Sequence, residues 1–254
     1  MVNCRVEDIY KKRYVLLWLL LSFKAGFINS GGFLATGKFV SHVTGFGTQV
    51  GLAVGHEDIL FGVELLVIPV FFILGGFITA LILDRKYEDG EVPPYPYVQI
   101  LITLLIGLVA WRGNAGDFGS YFVGINDYHQ IIMIATLCLI CGLKNALTTW
   151  ATWGKIRTTH LTGLSTDLGL NLPKLLNISN ENSRFKEKRK VSVVRILTLA
   201  SFSSGAFIAA IVFPKLGFKG FYIAFYISIF LSIISIFHGQ FIMNAAKSNK
   251  LGAY

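Results

Sequence analysis

Long apolar runs alternate with short polar ones along the chain, and the runs set the expected architecture. Six segments, about 14–36, 59–83, 96–111, 130–153, 191–213 and 220–241, read as membrane helices, most of them near the roughly 20 residues that cross a hydrocarbon core. The third is the shortest, and Tyr95, Tyr97 and Trp111 bracket it in the manner of interfacial aromatics. Between the runs, Asp84–Pro96 and Arg112–His129 are polar and turn-rich. Lys174–Lys190 is hydrophilic and strongly basic. No stretch outside the runs is long enough for a separate soluble core, so one membrane domain over 1–254 is expected.

Two segments break the simple count. Phe39–Gly55 (FVSHVTGFGTQVGLAVG) and Arg157–Pro173 (RTTHLTGLSTDLGLNLP) are glycine-rich and shorter than a comfortable span. They also match each other: His42 with His160, Thr44 with Thr162, Gly45 with Gly163, Thr48 with Thr166, Gly51 with Gly169 and Leu52 with Leu170. The preceding runs align through Gly26-Phe-Ile-Asn29 and Gly142-Leu-Lys-Asn145. The following runs align through Gly75–Ala80 and Gly205–Ala210, with the added length falling in the basic stretch. Three matches in the same order predict two halves, about 14–111 and 130–241. Gly76–Ala80 and Ala206–Ala210, small residues four apart, are expected at helix contacts.

Composition and charge then orient the halves. The chain of 254 residues is 54% hydrophobic and only 15% charged, where an ordinary soluble domain carries about a quarter charged residues. That excludes disorder, which needs low hydrophobicity and high charge. If each Thr-Gly segment dips into the bilayer and returns, each half has three spans and the second half is inverted. The N-terminal cluster, Arg85-Lys86, Lys155–Lys190 and the tail then lie on one side, leaving only Lys38, Arg112, Lys215 and Lys219 opposite. The positive-inside rule selects this topology. The expectation is an all-α polytopic protein, with six transmembrane helices, two short broken or re-entrant helices and a 3+3 inverted repeat. Both termini face the cytoplasm. Most of the +9 net charge then reports orientation beside anionic lipid, not a nucleic-acid partner.

Ala25-Gly-Phe-Ile-Asn29, Ser41-His-Val-Thr-Gly45, Gly142-Leu-Lys-Asn145-Ala and Thr158-Thr-His-Leu-Thr-Gly163 resemble the YoaK family over nearly the whole chain. This resemblance implies a multi-pass protein of the bacterial inner membrane and no established reaction. The family often has an acidic residue where Asn29 stands and an asparagine where Phe46 stands.

The candidate chemistry is sparse. Cys138 and Cys141 form a CxxC inside an apolar run and read as small core residues. P-loop, GxGxxG, HExxH and GxSxG motifs are absent from the sequence. No catalytic residue, metal or cofactor is therefore expected. Each Thr-Gly segment reads as an extended approach, a capping threonine and a short helix starting near residue 45 or 163. Half-helix N-termini near the midplane favour anionic or polar solutes. Lys24 and Lys144 sit inside spans, where a charge costs roughly 2.5–3.5 kcal/mol on insertion scales. The expected binding set is Lys24, Asn29, His42, Thr44, Gly45, Lys144, Asn145, His160, Thr162, Gly163 and Asp167, with Asp167 either holding a cation or pairing with a lysine. The leading expectation is a bilayer-embedded transporter or channel for a small polar or anionic solute bound near the two Thr-Gly motifs, with room for a homo-oligomer. The alternative is a non-transporting membrane scaffold.

Overall fold

The computed structural model describes residues 9–57, 59–88, 93–122, 128–154, 161–176 and 183–251. Among them every regular element is helical: α1 Lys12–Thr36, α2 Thr44–Gly55, α3 Ile59–Leu65, α4 Val67–Glu88, α5 Tyr95–Asn114, α6 Tyr128–Ala151, α7 Leu161–Leu176, α8 Ser183–Leu216 and α9 Phe221–Leu251. Five segments are long and apolar enough to cross a membrane: Lys12–Thr36, Phe61–Asp84, Tyr95–Asn114, Tyr128–Ala151 and Lys188–Phe237. The last is 50 residues long. As one helix it would reach about 75 Å, more than twice a hydrocarbon core. A 3-10 turn at Gly217–Gly220 divides it into α8 and α9.

Several boundaries differ from the sequence expectation for identifiable reasons. The segment expected over 59–83 is broken at Leu66 into α3 and α4. Pro69, near the start of α4, has no N–H, and its ring excludes the carbonyl of Leu65. Regular bonding resumes with Val70 N–H donating to Leu66 O at 3.2 Å. The basic residues Arg184–Lys190, expected in a loop, form the first turns of α8. The expected capping threonine is also corrected. Thr44 is the first residue of α2, while Val43 occupies the cap position with helical φ and ψ and makes no side-chain cap bond. Likewise α7 begins at Leu161, so Thr162 lies inside it. His160 lies outside the described residues.

Backbone proximity organises the long helices. α1 and α8 run parallel, with Ser22 Oγ donating to Thr198 O at 2.9 Å and Gly31 facing the Phe213 ring. α4 and α6 also run parallel, from Ile68 beside Ile134 to Thr79 Oγ1, which donates to Leu143 O at 3.3 Å. α5 and α9 are antiparallel, pairing Thr103 with Ser232 and Gly107 with Phe225. A Cβ on Gly26 would lie 2.0 Å from Phe202 O, and one on Gly205 would lie 2.0 Å from Phe23 O. In the other parallel pair, a Cβ on Gly142 would lie 2.1 Å from Phe72 O, and one on Gly75 would lie 2.5 Å from Leu139 O. Only glycine permits such an approach. In lipid, where apolar tails remove the hydrophobic drive between helices, this close packing holds them together.

The glycines in contact correct the expected small-residue faces by one position in both halves. Gly75 and Thr79 face α6, whereas a Cβ on Gly76 meets nothing within 4 Å. Gly205 and Ala209 are buried, whereas Ala210 is exposed. At one end of the bundle, Phe213 packs on Phe27 and Phe221, and Tyr121 stacks on Phe213 while its hydroxyl donates to Gly31 O at 2.7 Å.

Gly26→Val should destabilise the protein by about 1–3 kcal/mol, as an overpacked core does. Gly45→Ala, which meets open space, should leave stability nearly unchanged. Thermal unfolding of the detergent-purified variants measures both; equal effects would contradict the packing described.

Candidate functional site

A group of buried polar side chains converges where α1, α5 and α9 meet, with Lys144 of α6 within electrostatic reach. Lys24 on α1 is 0% exposed, and its Nζ donates to Ser228 Oγ on α9 at 3.1 Å. Gln99 on α5 donates from Nε2 to the same hydroxyl at 3.1 Å, and Thr103 Oγ1 lies 2.8 Å from it. A serine hydroxyl accepts two hydrogen bonds and donates one. Lys24 and Gln99 fill the accepting positions, so the Ser228 proton points to Thr103. Thr103 also meets Ser232 Oγ at 2.9 Å. The i, i+4 pairs Gln99/Thr103 and Ser228/Ser232 thus form one polar seam between antiparallel helices.

Lys144 on α6 is 1% exposed, and its Nζ has no hydrogen-bond partner among the described residues. Gln99 Oε1 is likewise buried without one. Cys141, one turn before Lys144, lies within electrostatic reach of both Lys24 and Lys144, and the two lysines within reach of each other. No described carboxylate pairs with either ammonium group. The site therefore concentrates cationic donors in a low-dielectric interior, where an unpaired charge is costly.

The remaining expected residues lie elsewhere. Asn29 is buried near the end of α1, where its Oδ1 accepts from Ser41 N–H at 3.2 Å and Ser41 Oγ at 2.8 Å. It ties the approach to α2 onto α1. Gly37 at φ 69 makes the left-handed turn between them. His42 stacks at a tilt on Phe39 with centroids 5.0 Å apart. With Gly45, Phe46, Gln49 and Ile68, these two rings line a pocket of about 260 Å³. Partial burial lowers the His42 imidazole below its usual pKa. Lys38 donates to Gln49 Oε1 at 3.1 Å and sits 4.8 Å from the Phe61 centroid.

On the other motif helix, Thr162 and Gly163 are exposed. Asp167 pairs with Arg195 of α8 at 2.8 Å, an arginine partner where a bound cation or a lysine was expected. Asn145 follows Lys144 on α6, and its carbonyl accepts from Thr149 Oγ1 at 2.8 Å. α2 packs principally on α3, and α7 on α8. The structure thus brings Lys24 and Lys144 together, but keeps them apart from the exposed Thr162, Gly163 and Asp167. Sequence reasoning missed Gln99, Thr103, Ser228, Ser232 and Arg195. The four-residue spacing of polar positions within two apolar runs was the available signal for the first four.

The model of a protein family of unknown function, DUF1275, matches residues 17–234. The chain belongs to this family. No curated protein and no solved structure matches it. Membership in DUF1275 brings no reaction or ligand with it, so the chemistry has to be read from the residues. The match spans both buried lysines, the polar seam and both Thr-Gly motifs.

An orphan amine in an apolar interior opposes folding. Lys144→Met, of similar length and apolar, should raise the thermal midpoint of the ligand-free protein by the equivalent of about 1–3 kcal/mol. A clear drop in that midpoint would mean that Lys144 has a stabilising partner.

Proposed function

We propose that the protein is a six-span membrane transporter for a small polar or anionic solute, with an anion favoured, that binds between Lys24 and Lys144. The observation that carries the reading is the pair of buried lysines, inside helices of membrane-spanning length, with no carboxylate partner among the described residues. Ionisable groups at such depth are costly and generally serve a solute or ion pathway. An arriving anion would supply the missing counter-charge and accept from Lys144 Nζ. A scaffold role gives these groups nothing to do.

The six spans are α1, α3–α4, α5, α6, α8 and α9, with α2 and α7 as re-entrant helices that do not cross. Support for the inverted 3+3 arrangement comes from the packing. α1 pairs with α8 and α4 with α6, so the first helix of each half pairs with the second of the other. Aligned glycines meet equivalent carbonyls: Gly26 at Phe202 O matches Gly142 at Phe72 O, and Gly205 at Phe23 O matches Gly75 at Leu139 O. With cytoplasmic termini, the pocket of Phe39 and His42 opens on the outer side as a vestibule. The resemblance to the YoaK family fits a bacterial inner-membrane location.

Purified protein in liposomes should show saturable flux of one or more members of a panel of inorganic and carboxylate anions. Lys144→Met and Lys24→Met should each reduce it about 10–100-fold, the loss expected for one charge-assisted contact. Absence of flux across the panel, or full flux in both variants, would overturn the proposal. The topology has its own test. In a background without the native cysteines, a cysteine at Lys38 should react with an impermeant maleimide in intact cells, and one at Lys155 only after permeabilisation. Equal labelling from outside would overturn the inverted arrangement.

A further inference from the structure

We propose that the anion is carried together with a proton held on Lys144, which makes the protein a proton–anion symporter. This rests on the anion site proposed above and adds the coupling ion. The geometry behind it is the unequal treatment of the two lysines. Lys24 Nζ is solvated by the Ser228 hydroxyl, which Gln99 and Thr103 hold in place. Lys144 Nζ has no acceptor among the described residues.

The groups around Lys144 offer its charge little compensation. From α1 comes Lys24, a like charge, and from its own helix the Cys141 thiol. α4 contributes the hydroxyl of Thr79 and the backbone at Gly75. Beyond Lys24, α5 and α9 contribute the neutral Gln99, Thr103, Ser228 and Ser232, whose polar groups are directed to Lys24 and to one another. α8 meets the assembly through Thr198 and Phe202, also neutral. Its one cation among these neighbours, Arg195, is paired with Asp167. An ammonium placed there has neither a counter-ion nor a full set of acceptors, so the empty site favours the neutral amine.

An anion reverses that preference, because it is both counter-charge and acceptor. By linkage, a ligand that binds the protonated form better must draw a proton onto it. The cycle balances. A water-borne proton adds to the Lys144 nitrogen lone pair and the ammonium pairs with the anion. After the site opens to the other side, anion and proton leave and the neutral amine is restored. For a monovalent anion, the loaded and empty forms then carry the same net charge.

Proton uptake by the detergent-purified full chain, in weakly buffered solution with a pH indicator, tests this directly. The probes are nitrate and methanesulfonate, anions of strong acids that bring no proton of their own. Binding should alkalinise the medium by about one proton per anion, and affinity should weaken about tenfold for each unit of rising pH. Lys144→Arg, which keeps the charge but does not release its proton, should bind either probe without proton uptake. Lys144→Met should bind neither. Binding or liposome flux by the wild-type protein without proton uptake would overturn the symport inference and leave the anion site standing. Unchanged proton uptake in Lys144→Arg would also overturn it. Failure of both probes to bind, together with absence of flux across the anion panel, would remove the anion site and the inference together. The pH dependence of the wild-type protein decides the matter even if a variant fails to fold.

Discussion

Backbone contact at four glycines is the constraint on which the rest of the structure depends. Gly26, Gly75, Gly142 and Gly205 each face a carbonyl oxygen so closely that even a methyl group would force the helices apart. These contacts bind α1 to α8 and α4 to α6, and side-chain hydroxyls reinforce them, including Ser201 donating to Leu19 O at 2.7 Å. Both lysines ride on helices fixed in this way. Lys24 lies two residues before Gly26, and Lys144 two residues after Gly142. Two residues along a helix is about 200° around it, so each lysine turns away from its neighbouring glycine contact, and Lys24 is buried on the opposite side of α1, against Ser228 of α9.

Electrostatics takes over where packing stops. The hydroxyls and amide of the α5–α9 seam satisfy one another and Lys24, which leaves Lys144 Nζ and Gln99 Oε1 as orphans. A donor and an acceptor, both buried and unmet, are rare in a folded interior, and each opposes folding. Their presence close to the buried amine of Lys24 is the physical basis for reading the site as one made to receive something. The net charge of +9 contributes little here, since most of it lies in the terminal and basic segments.

The apolar runs were enough to find the long helices, because membrane spans write strong local patterns, but the small-residue faces expected at Gly76–Ala80 and Ala206–Ala210 missed the glycines that join them. Lys24 and Lys144 stood out within those runs, as charges where few are tolerated. The break at Leu66 was readable from Pro69, yet continuous hydrophobicity across it hid the signal. The one-residue offset between Gly75 and Gly76 was not readable, since adjacent small residues satisfy the same pattern and only the orientation of the partner helix chooses between them. Ser228 and Gln99 were missed because single polar residues are common in spans; their meaning comes from facing each other across two segments far apart in sequence. Asp167 was recognised as needing a cation, but Arg195 belongs to a different helix, and a single sequence carries no pairing information.

The tie between Asn29 and Ser41 has a mechanical consequence. Along one rigid rod, α1 bears Lys24 against Ser228, Asn29 against Ser41 and Gly31 against both Tyr121 and Phe213. A small rotation of that rod turns all three at once. The interior amine, the approach to α2 and the aromatic cluster at the end of the bundle are thereby tied to a single helix. The mouth of the Phe39–His42 pocket and the buried amine of Lys24 are thus anchored on one and the same helix.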